Sequence, residues 1–177
     1  LGRLRLIIAE ILYEQNELSS ALQQAADGLK LIGSGWSPEG LVASHAVMGR
    51  IQRAIGQSRA AVAHVRQAVE IARQSGIARI SLIASAHQAR LWLAQGNLVA
   101  ASRWAEEYRQ LGAAEYLREF QDLTLARVLR AQGDPAEALL LLDHLSPTAE
   151  AAGRMGHVVE MLVLKALALQ DQDQGDS

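Results

Sequence analysis

The chain of 177 residues contains no cysteine. That absence excludes disulfides, thiolate chemistry and metal sites with cysteine ligands, and it agrees with a reducing, cytoplasmic location. Basic and acidic residues nearly balance, with a formal net charge of −2, so no overall positive field attracts nucleic acid or an anionic membrane. No uncharged apolar run reaches the roughly 18 residues of a transmembrane helix, and the chain shows no signal-peptide pattern. We therefore expect no membrane association and no direct nucleic-acid binding by this chain.

Sequence patterns of catalytic and metal sites are missing as well. None of the five histidines is paired with another ligand at i, i+4 spacing, and HExxH does not occur, which argues against zinc. Ser44 precedes His45 but lacks the strand–turn–helix elbow of a hydrolase nucleophile. No GxxxxGK[ST] loop is present to bind a nucleotide. We predict no enzyme activity, no metal and no cofactor.

One spacing, repeated five times, is the most informative feature that is present. Five turn-favouring residues lie 40, 40, 37 and 42 residues apart: Asn16, Gly56, Gly96, Gly133 and Gly175. Seven residues before each of them the residue is small, as Ala9, Gly49, Ala89, Ala126 and Ala168. Five residues after each of the first four it is alanine, as Ala21, Ala61, Ala101 and Ala138. Small residues on both sides of a turn allow two antiparallel helices to approach closely, and a period of about 40 residues is typical of stacked helix pairs.

Helical periodicity therefore predicts an all-α fold without strands. We expect a right-handed α-solenoid of about four helix pairs plus a ninth helix that covers the end of the fourth pair. One domain spans 1–170, with repeats at 1–35, 36–76, 77–113 and 114–155 and a half-repeat at 156–170. Residues 171–177 should form a frayed or disordered tail, because the helix that would pair with the ninth one is missing.

Caps and helix breakers predict the boundaries of the individual helices. We expect helices at 18–32, 58–74, 78–95, 115–132 and 157–170, and a sixth helix that runs to Leu111 with Gly112 as its stop. Ser37 before Pro38, and Asp134 before Pro135, predict the caps of the third and eighth helices, since proline fits the first helical turn. Pro147 is expected to end or kink the eighth helix, and Trp36 to lie in a loop.

The small-residue slots match the tetratricopeptide (TPR) pattern, in which a leucine–glycine pair is followed by a tyrosine and then by an alanine. The leucine slot holds Ile8, Met48, Leu125 and Leu167, but Gln88 in the third copy. The tryptophan slot of the pattern is lost, and no proline closes a repeat at the expected place. The chain thus resembles a degenerate TPR array whose helices are longer than the standard.

The elongated repeat is similar to the sensor segment of large LuxR-type regulators related to the maltose activator MalT, and the stretch from Ala152 to Gln170 resembles the last repeats of that family. The resemblance implies an ATP-binding switch before the repeats, a helix-turn-helix domain after them, and repeats that bind an inducer or regulatory proteins. Because the chain begins with Leu1 rather than Met, we interpret it as the sensing piece of a longer transcriptional regulator. The alternative is a generic TPR scaffold that binds a peptide in its concave groove. A homo-oligomer is compatible with either interpretation.

Arginines recur at two registers on the first helix of successive pairs. Six residues before a turn marker stand Arg50, Arg90 and Arg127, and three residues before it stand Arg53 and Arg130. We call these five residues the arginine ladder. In the first copy the same registers hold Glu10 and Tyr13. Positions three apart share one helix face, and the resemblance implies that this face lines the groove in which TPR proteins bind ligands.

The arginine ladder has two interpretations. As a binding site, it would contact a ligand or partner together with Tyr13, because the planar arginine fork suits carboxylate and phosphate groups. Alternatively, the arginines are solvated or are paired with Glu10, Glu119, Asp122 or a neighbouring helix. The aromatic cluster of Trp92, Trp104 and Tyr108 could stack on a sugar or a base, but packing in the core is favoured.

Overall fold

A computed structural model describes residues 1–32, 37–111 and 118–175 of the chain. Within these ranges the chain folds into nine α-helices and no strand, which confirms the predicted fold class. In order they are α1 (Gly2–Glu14), α2 (Leu18–Ile32), α3 (Pro38–Ala54), α4 (Ser58–Ser75), α5 (Ala78–Ala94), α6 (Leu98–Gln110), α7 (Glu119–Ala131), α8 (Pro135–Ala151) and α9 (Met155–Gly175). The loop position predicted for Trp36 and the stop predicted at Gly112 lie outside the described residues.

Four of the five turn markers adopt the left-handed conformation that ends a helix. Asn16 has φ 61° and Gly56, Gly96 and Gly133 have φ 80°, 71° and 83°, values that favour glycine and tolerate asparagine. After α3, the N–H of Gln57 donates to the carbonyl of Gln52 at 2.8 Å, which is the long hydrogen bond of a Schellman motif. The period in the sequence therefore marks the end of the first helix of each pair. The fifth marker, Gly175, lies instead at the end of α9.

The alanines of the small-residue slots are fully buried. The exposed fraction is 0% for every alanine in these slots: Ala9, Ala21, Ala61, Ala89, Ala101, Ala126, Ala138 and Ala168. At Gly49, an added Cβ would lie 3.0 Å from Cγ2 of Val65 and 3.4 Å from the carbonyl oxygen of Ala61. The close approach of α3 and α4 therefore requires a residue without a side chain at this crossing.

Both predicted caps are confirmed. The Ser37 hydroxyl accepts a hydrogen bond from the N–H of Gly40 at 3.3 Å, and the Asp134 carboxylate accepts one from the N–H of Glu137 at 3.1 Å. Each cap satisfies a backbone donor that has no partner inside its helix. Proline follows directly at the first helical position in α3 and α8, where its missing N–H costs nothing.

Two helix boundaries differ from the prediction. Pro147, expected to end or kink α8, does not end it, since α8 continues to Ala151; the kink stays a prediction. The last turn of α8 carries Ala149, whose exposed fraction is 0%, and this packing outweighs the one backbone hydrogen bond that a helical proline removes. α7 begins at Glu119, since Arg118 before it has the non-helical angles φ −105° and ψ 0°; positions 115–117 of the predicted helix lie outside the described residues.

The expected frayed tail is wrong as far as residue 175. α9 begins at Met155, two residues earlier than predicted, and remains helical to Gly175; residues 176 and 177 lie outside the described part of the chain. The carboxylate of Asp171 accepts a hydrogen bond from Nε of Arg130 at 2.6 Å. This ion pair ties the last turns of α9 to α7, so α9 does not need a following helix in order to stay ordered.

The chain divides into two compact units, residues 1–88 and 89–177. In the first unit α1 packs on α2 and α3, and α3 packs on α4, around a core of Leu6, Ala9, Ala21, Ala25, Val47, Met48 and Ile51. In the second unit α7 packs on α6, α8 and α9, with Leu123, Val128, Leu129, Leu142, Met161 and Leu164 buried. The contacts of α9 with α7 and α8 confirm that the ninth helix covers the fourth pair. In the ranges described, no helix is both long and apolar enough to span a membrane.

Candidate functional site

In the first unit, Arg50 lies against the acidic face of α1. Its Nη2 donates to Oε1 of Glu14 at 3.0 Å, and its Nη1 lies 3.6 Å from Oε1 of Glu10. The guanidinium group also lies over the ring of Tyr13, 4.7 Å from the ring centroid, within the range of a cation–π contact. The structure thus brings Arg50 and Tyr13 together, whereas Arg53 is simply exposed.

In the second unit, Arg90 of α5 is held by α7 through three different contacts. Its Nε donates to Oγ1 of Thr124 at 2.8 Å, and its Nη2 donates to the carbonyl oxygen of Phe120 at 3.4 Å. The guanidinium plane lies over the Phe120 ring, 4.1 Å from the centroid. Thr124 can accept this bond because its own hydroxyl proton goes to the Phe120 carbonyl at 2.8 Å. α7 therefore fixes the orientation of the Arg90 fork.

Arg90 and Arg127, which occupy the same register of successive first helices, meet at one carboxylate oxygen. Oε1 of Glu160 in α9 accepts from Nη2 of Arg90 at 2.8 Å and from Nε and Nη2 of Arg127 at 3.2 and 3.1 Å. Burial alone would raise the pKa of Glu160, but the charges of the two arginines and their hydrogen bonds outweigh it and hold this pKa below its usual range. Glu160 is therefore ionised at neutral pH.

Pairing with acids, the second interpretation of the arginine ladder, describes four of its five members. Arg50 pairs with Glu10 as expected, and Arg130 pairs with Asp171 of α9. Glu119 and Asp122 do not serve as partners of the ladder. Glu119 accepts from Arg154 at 2.7 Å and from His157 at 2.5 Å, and Asp122 accepts from the Tyr108 hydroxyl at 2.6 Å. The role of the ladder in ligand contact remains a prediction.

Glu160 is the residue of this site that the sequence analysis missed. Glu160 does not occupy the register of Arg90 and Arg127. In α9, the residue at that register, six before the turn marker, is Leu169. One signal could have revealed it: Glu160 is the single charged residue in the otherwise apolar stretch 158–164. An acid in such a helix face is partly buried and needs a cationic partner, and the nearest recurring cations are the arginines of the preceding first helices.

A histidine pair on α3 and α4 was also missed. Nδ1 of His45 and Nδ1 of His64 lie 2.8 Å apart, with ring centroids separated by 5.1 Å. Burial and then the neighbouring His64 lower the pKa of His45 to about 4, and burial lowers the pKa of His64. On α3, His45 lies one helical turn further from the Gly56 turn than Gly49, and on α4, His64 lies one helical turn further than Ala61. Since Gly49 and Ala61 lie at the helix crossing, the same repeat spacing predicts that the two histidines lie opposite each other. No cluster of three or more histidine or acidic residues in the described part of the chain could hold a metal.

Two of the three aromatic residues of the third pair belong to the core. Trp104 and Tyr108 stack with centroids 5.2 Å apart and an interplanar angle of 6°, and their exposed fractions are 6% and 5%. Burial, the hydrogen bond to Asp122 and the charge of that carboxylate raise the pKa of Tyr108, so its hydroxyl stays protonated and donates. The favoured packing interpretation is confirmed for these two rings, while Trp92 is half-buried.

Comparison with known proteins places this architecture in a family. A comparison with curated proteins gave no match. Among solved structures, the chain is similar to the nearly identical TPR-like repeats assigned to a kinesin light chain of Podosopora anserina, with 20% sequence identity, a TM-score of 0.61, and coverage of 97% of this chain and 87% of that chain. A single-substitution variant of the same protein gives 21% identity, a TM-score of 0.61, and coverage of 97% and 86%. At this level of identity the likeness shows the fold alone, a TPR-like repeat array.

The family model of the MalT-like TPR region matches residues 1–177, the whole of the sequence. Helical repeats of this type serve in general as non-catalytic modules for protein interaction. The predicted resemblance to a MalT-type TPR segment is therefore confirmed, and the chain belongs to the MalT-like TPR region family.

Proposed function

We propose that this chain is the effector- or protein-binding sensor module of a LuxR/MalT-type transcriptional activator. The observation that carries the proposal is the match of the MalT-like TPR model over the entire chain. In this proposal the module works in the cytoplasm, has no catalytic activity of its own, and acts on an ATP-binding switch and a helix-turn-helix domain elsewhere in the parent regulator.

The proposed mechanism uses the way in which repeat arrays are held together. Each repeat contacts only its neighbours, so a ligand that bridges two repeats changes their relative stability at one interface. A ligand can shift the array only by the difference between its affinities for the two arrangements. The arginine ladder suits this role because Arg90 and Arg127 stand on successive first helices of the second unit, where one extended anionic ligand would contact two repeats.

The test replaces the arginines of the ladder in the first unit. Arg50 is only partly exposed, 35% for its side chain, but its partners lie on the surface of α1, and Arg53 is exposed. Removing two such charges should cost little stability, about 1 kcal/mol or less per exposed ion pair. The Arg50→Gln, Arg53→Gln double variant of the full-length parent regulator is compared in an effector-dependent transcription assay with wild type.

The matched control removes two arginines from the opposite helix of the same pair. Arg59 and Arg66 of α4 are both exposed, so Arg59→Gln with Arg66→Gln changes the net charge equally. We expect loss of effector response in the ladder variant only, with equal melting temperatures. An unchanged response in the ladder variant, or the same loss in the control, would contradict a role of the ladder in sensing. Peptide binding through the ladder without any effect on transcription would favour the generic scaffold.

A further inference from the structure

Glu160 lies between two arginines, Arg90 and Arg127, whose guanidinium groups could equally bind the carboxylate of a ligand. We propose that Arg90 and Arg127 form a carboxylate-binding site, that Glu160 of α9 fills it as an internal occupant, and that the carboxylate of an acidic ligand binds by taking its place. The proposal deepens the proposed function, on which it rests for the biological role of the site but not for its chemistry.

The Arg90 half of the arginine pair is oriented by groups other than a carboxylate. Arg90 is oriented by the Thr124 hydroxyl, the Phe120 carbonyl and the Phe120 ring, and Thr124 is fully buried. None of these contacts depends on Glu160. A guanidinium fork that is already fixed loses little conformational freedom on binding, which favours affinity for a planar carboxylate.

Two cationic groups share one acidic group at the site. Two guanidinium groups face the single carboxylate of Glu160, and three N–H groups donate to its Oε1. Two guanidinium groups thus share one carboxylate oxygen, an arrangement that suits a ligand with more than one carboxylate. Charge-assisted bonds of this kind are stronger than bonds between neutral groups, so a ligand carboxylate that replaces Glu160 recovers what the displaced side chain gave.

The site can be reached from solvent. The side chains of Arg90, Arg127 and Glu160 are 23%, 37% and 22% exposed. Because the Glu160 side chain is already partly exposed, 22%, a change of its rotamer can bring the carboxylate into water. The exchange then requires a change of side-chain conformation and not the removal of α9 from the core that it shares with α7 and α8.

The occupant is not part of the repeat pattern. Arg90 and Arg127 share one register, and at that register α9 carries Leu169 instead of a polar residue. Glu160 reaches the pair from more than two helical turns earlier in α9. The repeat therefore supplies the two cations, and a single off-register acid supplies the charge that keeps them together when no ligand is bound.

An internal competitor reduces the apparent affinity for a ligand. The apparent affinity equals the intrinsic affinity multiplied by the fraction of molecules in which the site is vacant. Replacing Glu160 with glutamine keeps the size and helical preference of the side chain but removes the competing charge. We expect Glu160→Gln to bind glutarate about tenfold or more tightly than wild type, and Glu160→Gln with Arg127→Gln to lose that gain. Isothermal titration calorimetry of the 177-residue chain at low salt measures both.

Asp171→Asn is the matched control. Asp171 lies on the same helix and pairs with a ladder arginine, Arg130, so the substitution makes the same change in net charge and removes another link between α9 and α7. Tighter binding in Asp171→Asn equal to that in Glu160→Gln would overturn the proposal, because general charge or a loosened α9 would explain it. If Glu160→Gln does not fold, Glu160→Asp, which keeps the charge but shortens the reach, should bind glutarate more tightly than wild type.

Three probes identify the source of the ligand carboxylate. A gain with glutarate points to a small dicarboxylate, and a gain with a pentaglutamate peptide but not with glutarate points to an acidic protein segment; both support the proposal. An equal gain with inorganic phosphate would show that the arginine pair binds anions in general, and it would overturn the assignment of a carboxylate-binding site. No gain with any probe in Glu160→Gln would show that Glu160 is not a competitor at a binding site.

Discussion

Enlarging one buried alanine should test whether the small-residue slots determine the helix crossings. Ala61 of α4 has an exposed fraction of 0%, and it lies opposite Gly49 of α3. Even a single Cβ added at Gly49 would come within 3.4 Å of the Ala61 carbonyl oxygen and 3.0 Å of Val65 Cγ2. Ala61→Leu adds three carbon atoms at the same crossing, so α3 and α4 must move apart or the new side chain must leave its preferred rotamer.

Overpacking of this kind typically costs about 1–3 kcal/mol. Ala63→Leu is the matched control, because Ala63 lies on α4 one residue beyond Val62 and is exposed. Alanine and leucine have similar helix propensities, and the same substitution on the same helix cancels what difference remains. For a chain of this length, 1 kcal/mol corresponds to about 2–4 °C in melting temperature. We therefore expect Ala61→Leu to melt about 2–12 °C lower than Ala63→Leu.

The measurements are thermal melting and urea unfolding, both followed by circular dichroism at 222 nm, with the urea midpoint and slope fitted for both variants. The slope matters because repeat arrays can unfold one interface at a time. A lower midpoint at equal slope reports a loss of stability, and a changed slope reports partial unfolding. Equal midpoints and equal slopes for the two variants would refute the assignment of Ala61 to a close helix crossing, and Ala101→Leu would repeat the test at the equivalent slot in α6.

Two further predictions concern pH and glycine. The pKa of His45 is lowered to about 4 in the folded chain, so below about pH 6.5 the unfolded state binds more protons than the folded state. The free energy of unfolding should therefore be highest above pH 6.5 and should fall as the pH decreases towards 4. At pH 5 the loss should be about 1 kcal/mol after allowance for solvent screening. Urea midpoints at pH 7.5 and 5 should show this loss, and a His45→Gln variant with the same pH dependence would rule out the His45–His64 pair as its source. Gly133→Ala and Gly156→Ala both add a methyl group in open space, but only Gly133 has a left-handed φ, 83°; we expect a loss of about 1–2 kcal/mol at Gly133 and a gain of about 0.4–1 kcal/mol at Gly156, and a loss of equal size at both would contradict the backbone explanation.

The sequence allowed the helix pairs to be predicted because their physical requirements are local. A helix that ends in a Schellman motif needs glycine or asparagine at one position, and Asn16, Gly56, Gly96 and Gly133 supply it. A close crossing needs small residues at fixed distances from that turn. Both requirements repeat with the period of the fold, so each copy of the pattern supported the interpretation of the others.

The end of the array was harder to predict, because its stability comes from contacts between residues far apart in the chain. The missing partner of the ninth helix predicts a frayed tail after residue 170. The ion pair between Asp171 and Arg130 links residues 41 positions apart, and no local sequence pattern predicts it. Pro147 shows the same effect: its local preference argues for a helix end, while the packing of Ala149 keeps the last turn of α8 helical.

The arginine ladder shows why a repeat predicts positions better than partners. Equal registers place Arg90 and Arg127 on neighbouring helices with side chains of equal charge, and two like charges so close would destabilise the stack unless an acid came between them. In the second, third and fourth copies the pattern itself fills that register with arginine, so the acid that separates Arg90 from Arg127 must break the period. Only the first copy supplies an acid in register, Glu10, which pairs with Arg50. Glu160 breaks the period on α9, and Glu14, four residues after the ladder position in α1, does so for Arg50. In an array of this kind, the residues that depart from the repeat are therefore the ones in which a binding site or its internal occupant should first be sought.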